Sequence, residues 1–393
     1  MSRTTQKRRA TRRQRMLSRF LLLLAGASLA GLGVAAVQSW RSGGGRGAAF
    51  QAQPAAPPPP PRVRVAAAGD VMLDRGVWNR IKDHGIHHVM RDVRDPLRAA
   101  DVAFVNLECP LSTVQGHARP GGSLEFCADP MTAQALDDAG VDIVAIANNH
   151  GLDAGTRGCE DTMATLEAHQ IAYAGGRPEG FEPDEITYLT ANGAVVAFLA
   201  YTDLNFVHGS LCKVDEDMQN ALARVREARN QADLVCVSYH WGEEYRKDPT
   251  ARQIELGHAT IEAGADIILG HHPHVLSGVE RYRDGLILYS MGNFVFDQRD
   301  ADDGRMNSAI FTLDATIGRS LDLTITPLRI VPADYAPRTP TPERAGAILT
   351  ELAELSADLG VDLTIESGRA RASFVQTPPA PPAVASVEAE QSG

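Results

Sequence analysis

The first 61 residues of this 393-residue chain contain no aspartate or glutamate. They hold ten of the 38 lysines and arginines, which leaves 28 basic and all 49 acidic residues in residues 62–393, a net charge of −21. So acidic a body would repel a polyanion, which argues against nucleic acid as a partner.

The basic N-terminus leads into residues 20–37, which contain no charged residue. A basic flank followed by an apolar run is typical of an export signal or a signal anchor. The run is about long enough to span a bilayer, which takes ~18–20 residues. We expect an uncleaved anchor, although Ala35 and Ala36 would also suit a signal peptidase. Residues 1–19 would then be cytoplasmic, in a single-pass protein of the inner (cytoplasmic) membrane whose main domain is periplasmic or extracellular.

Cysteine is scarce, and none of the five cysteines forms a Cys-x-x-Cys pair, which argues against a zinc site built from thiolates. A disulfide is permitted outside the cytoplasm. Cys109 and Cys127 are the closest pair in sequence. A bridge between them would brace the neighbouring Glu108, so we expect this disulfide.

Composition divides the rest of the chain into three parts. Residues 38–61 are rich in glycine and then in proline, which is typical of a spacer. Residues 373–393 have no core-forming pattern and predict a disordered tail. Residues 62–372 lie between them and predict one domain.

Short apolar runs alternate with amphipathic stretches in that domain. The runs are 63–68, 102–106, 141–147, 195–200, 234–239, 266–269 and 286–290. They are continuous, as expected for strands buried on both faces. Helical stretches are predicted at 130–139, 159–169, 216–231 and 250–263. This order predicts an α/β fold, and two later segments, 308–315 and 321–330, predict antiparallel strands, so that the sheet is mixed.

A polar cluster follows six of the apolar runs. The clusters are Asp70; Asn106 and Glu108; Asn148, Asn149, His150 and Asp153; His240, Glu243 and Glu244; His271, His272 and His274; and Asn293 and Asp297. Because the carboxyl ends of strands in an α/β sheet meet at one edge, where ligands bind, we expect one composite site at one end of one sheet.

Several of these residues have a structural explanation when they are taken singly. Asp70 would suit a turn or a helix cap, and Asn148 and Asn149 would suit a left-handed turn. His240 and Trp241 would suit a core. The convergence of six clusters, above all the three histidines within four residues, favours a functional site.

The residue types predict a metal site. Two carboxylates, an amide and at least three imidazoles form a mixed oxygen and nitrogen set, which suits zinc, manganese or iron rather than calcium or magnesium. Six ligands are too many for one tetrahedral zinc and are about right for two ions ~3.5–4 Å apart that share a carboxylate. The sequence therefore predicts one or two divalent transition-metal ions.

Six segments resemble the bacterial capsule-synthesis protein CapA (PgsA) family of poly-γ-glutamate proteins. They are "AAGDVMLDRGV", "ADVAFVNLECPLS", "DIVAIANNHGLDAG", "VSYHWGEEY", "GADIILGHHPHVLSGVE" and "LILYSMGNFVFDQ", and they cover about residues 62–300 in the family's order. That family is similar to the calcineurin-like metallophosphoesterases. The resemblance implies a four-layer α-β-β-α sandwich of mixed sheets, preceded here by one N-terminal apolar helix.

The resemblance also implies a role for each ligand. The metal ligands would be Asp70 and His274 at one ion, Glu108 as the bridge, and Asn149, His240 and His272 at the second ion. His150 would be the catalytic acid beside the metals. Met72 stands where phosphoesterases have a histidine, and a thioether is a poor ligand for a hard ion, so the first position is expected to be weak or empty.

Candidates for substrate binding are one arginine and the other polar or aromatic residues of the clusters: Arg75, Asp153, Trp241, Glu243, Glu244, Tyr245, His271 and Asn293. An acidic body needs a local basic patch to bind an anionic substrate. Arg75, Arg246 and Arg299 are the candidates for that patch.

The resemblance implies a metal-dependent hydrolase or transferase in capsule or poly-γ-glutamate synthesis or processing, acting on an amide or ester of an anionic cell-surface polymer. One alternative is a non-catalytic, polymer-binding subunit of a capsule synthesis or export complex. A less favoured alternative is a phosphoesterase for nucleotides or phosphoglycans. Met72 favours the subunit, and the otherwise complete ligand set with His150 favours the enzyme.

Overall fold

The computed structural model describes residues 58–114, 125–175, 186–204, 218–298 and 304–376. The strands are β1 (Arg62–Val71), β2 (Val102–Leu107), β3 (Ile143–Ala145), β4 (Ala172–Ala174), β5 (Thr187–Ala191), β6 (Ala194–Thr202), β7 (Leu234–His240), β8 (Ile267–His271), β9 (Val279–Tyr282), β10 (Gly285–Leu288), β11 (Asn293–Val295), β12 (Asn307–Thr316), β13 (Ser320–Ile330), β14 (Pro337–Arg338), β15 (Thr364–Glu366) and β16 (Arg369–Val375). The helices are α1 (Arg75–His84), α2 (Arg94–Arg98), α3 (Ala133–Ala139), α4 (Gly155–Ala168), α5 (Met218–Gln231), α6 (Ala251–Ala263) and α7 (Pro342–Ala357).

The strands form two mixed sheets. The larger, ten-stranded sheet has the order β15-β16-β13-β12-β1-β2-β3-β4, with β11 paired to β1 and β14 paired to β13. The smaller, six-stranded sheet has the order β5-β6-β7-β8-β10-β9. Strands β1 to β4 are parallel neighbours, as are β6, β7, β8 and β10, whereas β12, β5 and β9 pair antiparallel with their neighbours. The mixed α/β class is therefore confirmed.

All seven apolar runs form strands, and each predicted helical stretch contains a helix. The expectation of one sheet is wrong, because the first three runs belong to the larger sheet and the last four to the smaller one. Helices α1, α2 and α7 were not predicted. The side chain of Asp74 caps α1, and Thr341 caps α7 with Pro342 at its first position, which are helix-start signals that the sequence contains.

The two sheets pack against each other through a shared core. Phe104 of β2 stacks on Phe198 of β6, with ring centroids 5.9 Å apart. Alternate residues of the smaller sheet point the other way, and Val237 of β7 packs in a second core with Val225 of α5 and Leu256 of α6. The smaller sheet is therefore covered by strands on one face and by helices on the other.

Two glycines allow the backbone to pass close to another chain segment beside the polar clusters. A Cβ atom on Gly69 in β1 would lie 1.8 Å from the carbonyl oxygen of Gly292, and one on Gly270 in β8 would lie 2.2 Å from that of Tyr289. The first approach lets the backbone N–H of Asp70 donate to Gly292, at 2.9 Å. Neither position can accept a side chain without moving the backbone.

None of the helices within the described ranges is long and apolar enough to cross a bilayer. The predicted N-terminal apolar helix at 20–37 lies outside the described residues, as do Arg299 and Cys212. Strand β16 extends to Val375, which is inside the segment 373–393 for which composition predicts disorder.

Gly69→Ala is expected to lower the melting temperature of the protein. Overpacking costs ~1–3 kcal/mol, and each kcal/mol shifts the melting temperature by about 2–4 °C in a domain of roughly 150–250 residues and by less in a larger one. Gly346→Ala is the matched control, because a Cβ atom at Gly346 in α7 meets no atom within 4 Å. Alanine is ~1 kcal/mol better than glycine in a helix, so the control should melt at or above the wild-type temperature. Calorimetry measures the melting temperatures. If both variants melted at the wild-type temperature, the close approach at Gly69 would be contradicted.

Candidate metal centre

The polar clusters meet where strand ends of the two sheets come together. Asp70 and Glu108 come from the ends of β1 and β2 in the larger sheet, whereas His240 and His271 end β7 and β8 in the smaller sheet. The side chain of His271 links the two sheets, since its Nδ1 lies 3.0 Å from Oδ1 of Asp70. The predicted convergence is therefore present, at the junction of two sheets.

Asp70 is fully buried and both of its oxygens have partners. Oδ1 accepts a hydrogen bond from Asn106 Nδ2 at 2.9 Å, in addition to the contact with His271. Oδ2 lies 3.2 Å from His274 Nδ1. Burial alone would raise the pKa of Asp70, but the hydrogen bonds with His271 and His274 hold it well below its usual range. Asp70 is therefore an ionised ligand candidate.

Glu108 is also fully buried, but neither of its side-chain oxygens has a hydrogen-bond partner among the described residues. Oε1 lies 3.7 Å from Nε2 of both His240 and His274. Burial, followed by the charge of Asp70, raises the pKa of Glu108 well above its usual range. A carboxyl group buried without donors is costly, which makes Glu108 suited to a cation.

The donor atoms fit a divalent ion. Asp70, Glu108 and His274 each contribute one ligand atom to a group whose members all lie within 4.8 Å of one another. Within the described residues, Oδ1 of Asn149 and Nε2 of His240 are also buried without a hydrogen-bond partner. Oxygen and imidazole nitrogen together suit a transition metal.

His240 and His272 are held in the neutral form that a metal needs. Burial, followed by His272, lowers the pKa of His240 well below its usual range. Burial, followed by His274, lowers the pKa of His272 to about 3. Metal ligation requires a deprotonated imidazole nitrogen, so neither residue must lose a proton to bind an ion at neutral pH.

The turn after β8 has an unusual backbone. His272 and His274 have φ angles of 94° and 58°, on either side of Pro273. Non-glycine residues adopt such angles rarely, at a cost of ~1–3 kcal/mol each, and they cluster at functional sites. The surroundings hold the turn in place, since the backbone N–H of Tyr245 donates to the carbonyl of Pro273 at 2.7 Å.

His150 lies beside this group and is oriented by a carboxylate. Its Nδ1 lies 2.6 Å from Oδ2 of Asp153, and the same oxygen accepts from the backbone N–H of Phe126 at 2.8 Å. The imidazole also stacks on the ring of Phe126, with centroids 4.0 Å apart. Asp153 therefore sets the direction of the ring, with Nδ1 and not Nε2 of His150 facing the carboxylate.

Four residues predicted to bind substrate have little or no exposed surface: Asp153, Trp241, His271 and Asn293. Trp241 belongs to the core, where Nε1 donates to the carbonyl of Tyr289 at 2.9 Å and the indole stacks on Tyr239. His271 contacts Asp70, and Asn293 Oδ1 lies 2.9 Å from His274 Nδ1. In this structure all four contact ligand candidates, His150 or the core, and their role in substrate binding stays a prediction.

The other four candidates reach solvent. Arg75 forms an ion pair with Asp297, and its side chain is 31% exposed. Tyr245 is 39% exposed, and Glu244 is exposed beside it. Glu243 points into solvent and pairs with Arg246 at 3.2 Å, which is the arrangement of a solvated face.

Two asparagines support the centre although no role was predicted for them. Asn106 donates to Asp70, and its Oδ1 accepts from Nδ2 of Asn148 at 3.1 Å. Nδ2 of Asn106 also lies 3.4 Å from Nδ1 of His240. Asn106 ends one apolar run and Asn148 directly follows another, and this position at a strand end was the signal that the sequence offered.

Met72 and the two cysteines face backbone groups. Sδ of Met72 accepts from the backbone N–H of Asp74 at 3.1 Å. Cys109 and Cys127 are free thiols, so the predicted disulfide is absent. Sγ of Cys127 donates to the carbonyl of Val114 at 3.0 Å, whereas Sγ of Cys109 accepts from the N–H of Leu73 at 3.4 Å. Each thiol is thus held by its own backbone partner.

The chain is similar to several known proteins. It is 34% identical over 249 residues to "Capsule biosynthesis protein CapA" of Bacillus anthracis, covering 60% of each chain. It is 33% identical over 236 residues to "PGA biosynthesis protein CapA" of Bacillus subtilis (strain 168), covering 58% of this chain and 62% of the relative. A "Probable polyglutamine synthesis accessory protein" of Mycobacterium tuberculosis (strain CDC 1551 / Oshkosh) is 26% identical over 254 residues, which is 59% of this chain and 67% of the relative.

Among solved structures, a hypothetical protein from Thermus thermophilus matches 80% of this chain and 99% of its own, with 18% identity and a TM-score of 0.43. The chain spans about three fifths of the length of the two Bacillus relatives. Residues 64–298, which contain every residue of the candidate centre, match the family described as "Bacterial capsule synthesis protein PGA_cap". The chain therefore belongs to the bacterial capsule synthesis protein PGA_cap family.

Proposed function

We propose that this protein is a metal-dependent hydrolase or transferase that acts on an anionic cell-surface polymer, with poly-γ-glutamate as the favoured substrate. The observation that carries the proposal is Glu108, a buried carboxyl group whose oxygens have no hydrogen-bond partner among the described residues. Buried charges are normally paired or bound to a metal. The names of the two Bacillus relatives, which refer to capsule and PGA biosynthesis, support the substrate.

The proposed ligands are Asp70, Glu108, Asn149, His240, His272 and His274, which would hold one or two ions of manganese, zinc or iron. An ion bound there would supply Lewis-acid activation of the scissile amide or ester. The arrangement of strands on one face and helices on the other face of the smaller sheet supports the four-layer α-β-β-α sandwich expected for such a site.

His150 is proposed to donate a proton to the leaving group. Asp153 accepts the hydrogen bond of Nδ1, so Nε2 is the atom that exchanges the proton. The stack on Phe126 restricts rotation of the imidazole. Imidazole is the side chain that most often transfers a proton in general acid–base catalysis.

A second candidate function is a non-catalytic, polymer-binding subunit of a capsule synthesis or export complex. The Mycobacterium relative described as an accessory protein supports it. Met72 supports it as well. This residue occupies a position expected to supply a metal ligand, but its side chain is a buried thioether whose sulfur accepts a backbone hydrogen bond. Other capsule synthesis proteins would then be its partners.

We further propose that residues 20–37 anchor the protein in the cytoplasmic membrane, with the body outside the cytoplasm. The basic flank and the uncharged run support this topology.

The metal content of the protein should depend on Glu108. Glu108→Gln keeps the size of the side chain and removes its charge, so bound metal should fall at least tenfold relative to the wild type. Glu243→Gln makes the same change at an exposed glutamate and should retain wild-type metal. Elemental analysis after dialysis measures both. The metal proposal fails if the wild type and Glu108→Gln contain equal amounts of metal.

Substitutions of His150 and His272 should separate catalysis from metal binding. His150→Ala should keep its metal and its fold but lose about 10²–10⁴-fold in turnover, the usual size of a general-acid contribution. His272→Ala should lose metal as well. Both are assayed with the wild type on poly-γ-glutamate and on a generic phosphodiester, with manganese and zinc supplied.

Cleavage of the phosphodiester alone by the wild type would identify a phosphoesterase. If the wild type cleaves neither substrate while His150→Ala still supports capsule formation in cells, the enzyme proposal fails and the subunit remains.

Protease accessibility in spheroplasts tests the membrane topology. Protease added to intact spheroplasts should digest residues 62–393, because the anchor places them outside the cytoplasm. A cytoplasmic protein in the same cells should stay intact as a control. Full protection of the body would contradict the proposed orientation.

A further inference from the structure

A series of neighbouring rings runs through the centre, with an arginine over a ring near each end. The ring centroids of His150 and Phe126 are 4.0 Å apart, those of Phe126 and Phe296 are 6.0 Å apart, and those of Phe296 and His274 are 5.1 Å apart. Tyr245 follows His274 at 6.3 Å. We call these five rings the aromatic spine. Phe126 and Phe296 are only 2% exposed, so the middle of the spine is a buried support.

An arginine lies over a ring near each end of the spine. The guanidinium carbon of Arg75 is 4.6 Å from the centroid of Phe126, and that of Arg305 is 4.2 Å from the centroid of Tyr245. Cation–π contacts at such distances are attractive and fix the guanidinium plane. Both arginines are partly exposed, and Nη2 of Arg75 also pairs with Asp297, so a carboxylate bound there would share that guanidinium with Asp297.

Arg305 is also tied to the centre through its backbone. Nδ2 of Asn293 donates to the carbonyl of Arg305 at 3.1 Å and to that of His274 at 3.2 Å. Oδ1 of the same asparagine contacts Nδ1 of His274. One buried amide therefore sets the positions of a metal-ligand candidate and of the arginine together.

The charge of the body makes fixed cations necessary. With a net charge of −21, residues 62–393 repel a polycarboxylate except where local positive charge is provided. A guanidinium is the side chain best suited to this task, because its planar fork matches a carboxylate with two parallel hydrogen bonds. A γ-linked glutamate chain offers one free carboxylate on each unit, so carboxylates occur on both sides of any amide that enters the centre.

We propose that Arg305 and Arg75, which lie over rings on either side of His274 in the aromatic spine, bind carboxylates of the polymer, so that the chain is held across the centre and not by its end. This inference rests on the proposed function and adds to it a residue, Arg305, and a binding mode. It requires a ligand long enough to reach both arginines. A single glutamate satisfies only one of them.

The test measures binding of γ-linked glutamate oligomers of increasing length to the full chain, loaded with manganese, by titration calorimetry. Affinity should rise with length until both arginines are occupied. Arg305→Gln should weaken the binding of long oligomers by about tenfold or more, as expected for a charge-assisted hydrogen bond. Arg305→Lys keeps the charge but not the planar fork, so its affinity should be intermediate.

Two controls accompany these variants. Arg224→Gln removes the same charge from α5, at a residue that pairs with Glu227, and should bind like the wild type. Oligomers whose free carboxylates are converted to amides should bind weakly to every variant. Metal content should be the same in all of them, since neither Arg305 nor Arg224 is a ligand candidate.

The possible failures are distinct. If Arg305→Gln binds long oligomers as tightly as the wild type, at normal metal content, the inference is overturned and the hydrolase proposal stands. If affinity does not increase beyond a single glutamate, binding across the centre is overturned. If the metal-loaded wild type binds no γ-linked oligomer at all, the assignment of poly-γ-glutamate is refuted, and the inference falls with it.

Discussion

Two carboxyl groups buried side by side determine the arrangement of this site. Asp70 is stabilised as an anion by Asn106 and two histidines, whereas Glu108 has no hydrogen bond to its oxygens from the described residues. Their pKa values are accordingly displaced in opposite directions. Neighbouring carboxylates can both ionise only when positive charge compensates them. A divalent ion would resolve this conflict, and His240 and His272 are in the neutral form that such an ion requires.

The two sheets contribute different side chains to the centre. The larger sheet supplies the carboxylates, and the smaller sheet supplies the histidines that follow β7 and β8. Contacts such as His271 with Asp70 therefore join the sheets through polar atoms, while Phe104 and Phe198 join them through apolar ones. Any ion bound there would be ligated by residues from both sheets. Binding of the ion would therefore stabilise the packing of the sheets, and loosening that packing would lower the affinity for the ion.

Much of this was accessible from the sequence, since continuous apolar runs mark strands buried on both faces and polar residues directly after them mark the strand ends. The same pattern does not encode which strands become neighbours, so the division into two sheets could not be derived from it. Trp241 comes directly after His240 at the end of β7, yet the next residue along a strand points to the opposite face, and it lies in the core. The role of Arg305 depends on a ring 60 positions earlier in the chain, a contact that no local pattern records.

The order of the strands has a consequence for synthesis of the protein. Strand β1, which contains Asp70, lies between β2 and β12 in the larger sheet, and all six strands of the smaller sheet come between β4 and β11 in the chain. While a ribosome makes those six strands, one side of β1 has no partner. An open, apolar strand edge is a template for association with other chains. The nascent chain therefore carries an open edge on β1 during this interval, which ends when residues 307–316 emerge and pair with β1.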